Sequence, residues 1–265
     1  MRIGFVGAGR MGRPMVARLV EAGHDVRALG RSAEKRAAVA ELGASPVADM
    51  SEVGAEADVV VVCVFTDEQV RQVCLDSDLL ASMPPGSVLV VHTTASPATI
   101  EAIAARAATH GVAVADAPVS GGPHDAAAGA LTLFVGGGDD AVARLQPVLG
   151  CYGDPVLHVG PTGTGQKVKL VNNALFAAQI GLLAESVQLG TRLGVPEPTL
   201  LKALPQGSAA SRVLSIVAAG GSVASFIESV GEFVGKDVGV VRAIAAELGS
   251  DLGLLDDVID AAVKG

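Results

Sequence analysis

The stretch GTGQKVKLVNN, residues 163–173, places two lysines and two asparagines at the entrance of a long apolar segment. Residues 170–184 carry no charge, so most of this segment is expected to be buried. A lysine at such an entrance is costly unless its ammonium group is needed there. Lys169 is therefore a candidate acid/base group for a substrate hydroxyl, with Asn172 and Asn173 following it in the sequence. The alternative is a lysine that keeps its head in solvent at a domain edge.

A glycine-rich loop at the start of the chain could hold a dinucleotide. The sequence RIGFVGAGRMGRP has GxGxxG spacing directly after a strand pattern and before a helix pattern. Such a loop turns tightly at its first glycine, admits a pyrophosphate at its second and packs helix against strand at its third. The alternative is a structural turn. The candidate cofactor residues of this loop are Gly7, Ala8, Gly9, Arg10, Met11 and Gly12.

The end of the second predicted strand favours NADP over NAD. NAD-preferring sites need an acidic residue there, whereas this chain reads VRALGRSAEK. Gly30 leaves room, Arg31 can pair with a 2′-phosphate and Ser32 can donate a hydrogen bond, with Lys35 close by in sequence. The alternative is that Arg31 is only a solvated side chain beside a helix start, and NAD stays possible.

Three further loops follow predicted strands, where ligands of open α/β sheets bind. Two of them, VFTDEQV and HTTASP, offer Val64, Phe65, Thr66 and Thr94 to a nicotinamide ribose, although Thr66 could equally be a helix cap. In DAPVSGG, Asp116 begins a predicted turn. There, the amides of Gly121 and Gly122 and the Ser120 hydroxyl could bind a carboxylate.

Two kinds of pattern divide the chain. Up to about residue 160, Val-rich strands alternate with helices, which predicts a doubly wound parallel sheet. The predicted strands are 2–6, 25–29, 58–64, 88–92 and 112–115, with helices over 11–22 and 33–42. Beyond Gly165 we expect only helices: 166–193, then shorter ones broken at Gly207, Gly220–Gly221 and Gly249. The prediction is an α/β Rossmann domain, residues 1–162, and an all-α domain for substrate binding and dimerisation, residues 163–265.

The amino-acid composition indicates which classes of partner and which compartment to expect. The net charge of −9 argues against nucleic acid, which requires clustered Lys and Arg. Three widely spaced cysteines fit a reducing compartment and give no metal-ligand spacing. No signal peptide is predicted, since the first residues, MRIGFVG, run directly into a strand pattern. No membrane span is predicted, since the longest charge-free run, residues 79–100, contains three prolines. We expect a cytoplasmic homodimer or higher homo-oligomer without a metal.

Four blocks in order, GFVGAGRMGRPM, DAPVSGG, GTGQKVKLVNN and GKDVGVV, resemble the β-hydroxyacid dehydrogenase family, which includes 3-hydroxyisobutyrate dehydrogenase and, more distantly, 6-phosphogluconate dehydrogenase. The resemblance implies a Rossmann domain followed by a helical domain. It also implies that Lys169 is the catalytic lysine with Asn173 as its partner, that Asn172 and Ser120 contact substrate, and that Lys236 reaches the cofactor or substrate carboxylate. Early helical position and partial burial are expected to lower the pKa of Lys169.

The activity expected from this resemblance is NAD(P)-dependent interconversion of a small 3-hydroxy acid and its semialdehyde, with a small carboxylate as substrate. Two alternatives remain. An imine reductase has other residues at the lysine position. A non-catalytic cofactor-binding scaffold of the same fold could dispense with Lys169 and Asn173.

Overall fold

A computed structural model describes residues 1–247 and 249–264, apart from the side chains of Glu232 and of residues 261–264. The chain divides into two compact units, Met1–Lys169 and Leu170–Gly265. This division lies inside the long helix, whereas the sequence placed the boundary before it. A helix that continues through the boundary gives no composition signal there.

The first unit contains a nine-stranded sheet whose spatial order is β3-β2-β1-β4-β5-β6-β8-β7, with β9 beside β8. Strands β1 to β6 run parallel to one another, and β8 runs antiparallel to β6 and β7. The strands are β1 (Arg2–Val6), β2 (Asp25–Leu29), β3 (Ser45–Val47), β4 (Val59–Val62), β5 (Val88–Val91), β6 (Ala113–Asp116), β7 (Val119–Ser120), β8 (Leu131–Gly136) and β9 (Gly153–Gly160).

Helices cover both faces of this sheet, as its apolar strands require. In β4, Val59 and Val61 join one buried cluster while Val60 and Val62 join the other. A strand buried on both faces is typical of a sheet with helices on either side. The helices are α1 (Gly12–Glu21), α2 (Ala33–Ala40), α3 (Met50–Gly54), α4 (Asp67–Cys74), α5 (Leu79–Ser82), α6 (Pro97–Ala108), α7 (Pro123–Ala128) and α8 (Asp139–Leu149).

Four strands were missed by the sequence analysis: β3, β7, β8 and β9. Strands β3 and β7 have three and two residues, too few for a period to be read. In β9, exposed and partly buried residues follow one another without clear alternation. A strand at the border of a sheet with one solvated face gives a weaker apolar signal than a central strand.

A helix of 29 residues, α9 (Thr164–Arg192), leaves the first unit and continues into the second. The described part of the second unit is helical, with α10 (Glu197–Ala203), a 3₁₀ turn (Leu204–Gln206), α11 (Arg212–Gly220), α12 (Val223–Glu247) and α13 (Leu254–Lys264). Its largest buried cluster includes Ile180, Val213 and Val217. Helix α9 is not buried all round, since Val171, Leu175 and Leu182 are exposed. By length and composition alone α9 could also span a membrane, as could α11 taken with the bent start of α12.

Candidate active site and dinucleotide-binding loops

The loops identified in the sequence meet at one edge of the first unit. Strands β1, β2, β4, β5 and β6 are mutually parallel, so their carboxyl ends lie along the same edge. The strand order turns between β1 and β4, and ligands of open α/β sheets bind at that point. No cluster of metal-ligating side chains occurs in the described residues.

The three glycines of the first loop have different surroundings. Gly7 has φ +101°, and a Cβ there would strike the carbonyl oxygen of Cys63. A Cβ on Gly12 would strike the carbonyl of Gly7 and lie 2.8 Å from the ring of Phe5. A Cβ on Gly9 would meet nothing within 4 Å. Gly7 and Gly12 therefore serve the fold, whereas Gly9 leaves an open approach to the backbone.

The start of α1 is suited to an anion. Its N-cap residue Met11 provides no side-chain hydrogen bond, and no acidic residue lies in the first turn. The first amides of a helix carry a partial positive charge and bind phosphate oxygens. Ala8 is half-buried, and Arg10 is exposed beside this helix start. The loop therefore fits the pyrophosphate of a dinucleotide.

The loop after β2 is basic. Arg31 is exposed, and the Ser32 hydroxyl caps α2 by accepting a hydrogen bond from the Lys35 amide at 3.2 Å. The sequence predicted that Gly30 leaves room for a ligand, and this prediction is wrong. A Cβ there would lie 2.6 Å from Cγ of Arg36, whose guanidinium donates to the Gly30 carbonyl at 3.0 Å. Arg36 is thus a basic residue of this loop that the sequence analysis missed.

The loops after β4 and β5 are tied together by a threonine. The Thr93 hydroxyl accepts from the Val64 amide at 2.9 Å and donates to the Val64 carbonyl at 3.0 Å. Next to Val64, Phe65 is exposed, and Thr66 is the N-cap of α4 in a capping box with Gln69. Thr94, which follows Thr93 in the chain, is half-buried.

In the loop after β7, the structure corrects one predicted carboxylate contact. Ser120 ends β7, and Gly121 follows with φ +127°. The amide of Gly122 is not free for a substrate carboxylate, because it donates to Oδ2 of Asp125 at 2.6 Å. Asp125 caps the start of α7 in this way. A carboxylate-binding role at this loop therefore falls to Ser120 and Gly121.

Two buried polar residues to which the sequence analysis gave no role in the site hold the start of α9. Asp116 is the last residue of β6 and not part of a turn. Its carboxyl group accepts from the amide of Gly163 at 2.5 Å and from that of Gln166 at 2.7 Å. The Gln166 side chain bonds to the backbone at Thr93 and Ala95. One sequence feature could have predicted this role: both are polar residues beside apolar runs, and polar side chains are buried only when they are hydrogen-bonded.

The remaining candidates lie on helices α9 and α12. Lys169 is 9% exposed and follows Gln166 by three positions in α9. Asn173 is 6% exposed. Its side-chain nitrogen, Nδ2, is buried and has no hydrogen-bond partner among the described residues. Asn172 donates to Oδ1 of Asn173 at 3.4 Å, near the upper limit for a hydrogen bond. Lys236 lies half-buried in α12.

Comparison with known proteins identifies the family of this chain. The NAD binding domain of 6-phosphogluconate dehydrogenase matches residues 2–160. A second family model, NAD-binding of NADP-dependent 3-hydroxyisobutyrate dehydrogenase, matches residues 163–261.

Individual relatives match over most of their length. 2-(Hydroxymethyl)glutarate dehydrogenase of Eubacterium barkeri is 33% identical over 93% of this chain and 83% of that protein. NAD-dependent L-serine dehydrogenase of Pseudomonas aeruginosa is 33% identical over 81% of this chain and 72% of that protein. The structure of Mycobacterium tuberculosis 3-hydroxyisobutyrate dehydrogenase with L-serine superposes with a TM-score of 0.88 at 30% identity, covering 99% of this chain and 92% of that one. The chain therefore belongs to the β-hydroxyacid dehydrogenase family and is a nicotinamide-dependent dehydrogenase.

Proposed function

We propose that the protein interconverts a small carboxylate that bears a hydroxymethyl group on its α-carbon and the corresponding semialdehyde. The substrates named by the relatives, 3-hydroxyisobutyrate, L-serine and 2-(hydroxymethyl)glutarate, share a carboxylate, one α-carbon and a terminal CH₂OH. They differ in the second substituent on the α-carbon. The common fragment is therefore the substrate class proposed for this chain.

The observation that carries the proposal is a buried lysine close to a buried amide nitrogen that lacks a partner. Lys169 and Asn173 are one helical turn apart on α9, and Nδ2 of Asn173 has no acceptor among the described residues. A buried donor without a partner costs about 1–3 kcal/mol, which a substrate oxygen would offset. The pair is suited to hold and deprotonate a hydroxyl group.

In the proposed oxidation, the nicotinamide would take the hydride from the CH₂OH carbon. Lys169, as the neutral amine, would accept the hydroxyl proton. Asn173 would donate a hydrogen bond to the same oxygen or to a neighbouring substrate oxygen. Ser120 and the amide of Gly121 would bind the carboxylate. In the reductive direction, the Lys169 ammonium would return the proton to the developing alkoxide.

The proposed cofactor is NADP in preference to NAD. No acidic residue lies at the end of β2 to accept a hydrogen bond from a ribose 2′-hydroxyl, and Arg31, Lys35 and Arg36 lie within six positions, with Glu34 among them. Guanidinium groups bind phosphate oxygens in pairs of charge-assisted hydrogen bonds. This concentration of positive charge supports recognition of a 2′-phosphate.

The test is NADPH oxidation over a panel of small semialdehydes and cyclic imines. We expect turnover of a semialdehyde and a loss on the order of 10²-fold or more in kcat for Lys169→Ala, with NADPH binding retained. Lys167→Ala, which removes an exposed lysine from the same helical turn, is the matched control and should match wild type. Wild-type kcat in Lys169→Ala, or turnover of imines alone, would contradict the proposal. NADPH binding without any turnover would favour a non-catalytic cofactor-binding scaffold.

A cytoplasmic location and a homodimer or higher homo-oligomer stay predictions.

A further inference from the structure

The side chain of Gln166 makes a two-point contact with the loop after β5. Oε1 of Gln166 accepts from the Ala95 amide at 3.0 Å, and Nε2 donates to the Thr93 carbonyl at 2.9 Å. Because one partner can only donate and the other can only accept, these bonds fix the orientation of the carboxamide. Gln166 is completely buried, so water does not compete for them. The two bonds lie on either side of Thr94.

This contact extends to the loop after β4. Thr93, whose carbonyl accepts from Gln166, uses its hydroxyl to hold both backbone groups of Val64. A continuous set of hydrogen bonds therefore runs from α9 through residues 93–95 to the chain segment that contains Phe65 and Thr66. Both loops carry candidate cofactor residues.

The backbone around Gln166 is fixed as well. Its amide donates to Oδ2 of Asp116, whose other oxygen accepts from Gly163. A Cβ on Gly165 would lie 2.8 Å from Oδ2 of Asp116 and would strike the carbonyl of Phe134. The first turn of α9 thus has little freedom to rotate or slide at the sheet edge. Lys169 lies three positions after Gln166, about 4.5 Å further along the helix axis.

We infer that Gln166 is a positioning residue that fixes the Lys169-bearing turn of α9 to the backbone on both sides of Thr94, and thereby sets the proton-transfer group relative to the cofactor loops. The inference rests on the proposed role of Lys169. Gln166 acts through its contacts with the backbone and not through contact with the reacting atoms. Loss of its two bonds would leave the Ala95 amide and the Thr93 carbonyl buried without partners, so the loop and the helix would both shift.

The first test uses Gln166→Met, which keeps a similar side-chain volume without a carboxamide. We expect kcat to fall on the order of 10- to 100-fold, since small displacements of positioned groups cost rates of this size. The dissociation constant for NADPH should rise by a smaller factor than kcat falls, because the loop that carries Thr94 shifts while the phosphate-binding loop after β1 is untouched. Lys167→Ala serves as the control on the neighbouring exposed position. Near-ultraviolet circular dichroism checks that each variant is folded.

The second test uses Gln166→Glu, whose charge reports on the hydrogen bonds. The ionised carboxylate can accept from Ala95 but opposes the Thr93 carbonyl, whereas the protonated acid can donate to it as the carboxamide does. Burial raises the pKa of a carboxyl group, which brings this titration towards assay pH. The ratio of kcat for Gln166→Glu to that of wild type should therefore rise as the pH falls, and the ratio for Gln166→Met should stay flat. A residue that served only general stability would give no such pH-dependent recovery.

A third measurement needs neither substrate nor cofactor. Hydrogen exchange of the Ala95 amide in the free protein should accelerate in Gln166→Met and stay at the wild-type rate in Lys167→Ala. Wild-type kcat in Gln166→Met, a pH-independent ratio for Gln166→Glu, or an unchanged Ala95 exchange rate would each overturn the inference. Retained turnover in Lys169→Ala would instead remove the proposed function, and the exchange rate would still decide whether Gln166 holds the loop.

Discussion

The carboxyl group of Asp116 accepts a hydrogen bond from the amide of Gln166 at 2.7 Å, although the two residues are 50 positions apart in the chain. This bond joins the end of a central strand to the first turn of α9. A carboxyl group at a helix start satisfies amides that have no partner within the helix. The relationship explains why α9 begins where it does, and it makes Asp116 a structural requirement for the site.

Replacing Asp116 with Asn should destabilise the protein by about 1–3 kcal/mol, because the introduced NH₂ group would face an amide donor. Urea unfolding at pH 7 would measure this loss, with the exposed Asp140→Asn as the matched control. A variant as stable as wild type would show that the cap contributes nothing.

The same variant should change the pH dependence of stability. Burial raises the pKa of Asp116 above its ordinary value of 3.8, although the amides of Gly163 and Gln166 favour its charged form. The folded chain therefore holds this proton more tightly than the unfolded chain. Its contribution to stability is full below pH 3.8 and is lost as the pH rises through the folded-state pKa. Unfolding free energies measured across that range should lack this decline in Asp116→Asn.

A pair of glycine variants should separate folding from cofactor binding. Gly9→Ala adds a methyl group in open space, so stability should be preserved while the dissociation constant for NADPH rises at least about tenfold, since the pyrophosphate needs close approach there. Gly12→Ala forces a methyl group against Gly7 and Phe5 and should lower stability by about 1–3 kcal/mol. Thermal unfolding and NADPH fluorescence titration would measure both effects. Equal losses of stability in the two variants would refute this assignment.

Arg31→Ala should weaken NADPH binding and leave NADH binding nearly unchanged. A charge-assisted hydrogen bond contributes about 1.5–3 kcal/mol, which corresponds to at least a tenfold rise in the NADPH dissociation constant. The exposed Arg71→Ala on α4 controls for a general change in charge. If the binding of NADPH and the binding of NADH weaken equally in Arg31→Ala, the arginine does not contact the 2′-phosphate.

Acid sensitivity is predicted from a histidine outside the proposed active-site residues. His92 is buried with Nδ1 2.6 Å from the Ala117 carbonyl and Nε2 2.9 Å from the Tyr152 hydroxyl. Burial lowers its pKa from 6.5 to about 4. The unfolded chain therefore binds the proton more readily, so stability is full above pH 6.5 and falls as the pH drops towards 4, by up to about 3 kcal/mol. Urea unfolding across this range should show a shallower decline for His92→Gln than for wild type, and a wild-type decline for His110→Gln.

The sequence predicted the parts of the fold that have strong periodicity. The strand DVVVVCV and the glycine loop before Met15 gave clear signals, because a doubly buried strand must be apolar throughout and a phosphate loop must have glycine at fixed positions. Strands β3 and β7 could not be found in this way, because pairing with neighbours and not local pattern makes them strands.

The candidate site was predicted less completely. The sequence predicted roles for Lys169 and Asn173, since they are polar residues at the start of an apolar helix; the structure shows both buried, and their roles stay predictions. It did not reveal that Asp125 occupies the Gly122 amide or that Arg36 covers Gly30, because both contacts depend on side-chain direction. Gln166 was missed for a related reason: its two partners are backbone groups more than seventy positions earlier in the chain.

The boundary between the two units, after Lys169, has a consequence for how such enzymes diversify. Every hydrogen bond described for the start of α9 is made within residues 1–169, so that portion contains the dinucleotide loops, the proposed proton-transfer group and the contacts that align them. Asn172, Asn173 and Lys236 belong to the other portion. Exchange of the helical part by recombination would therefore replace Asn173, the proposed partner of Lys169, while the dinucleotide loops and Lys169 stay in place. A chimaera joined after Lys169 would therefore keep the proposed reaction only if the second parent also supplies an asparagine at position 173.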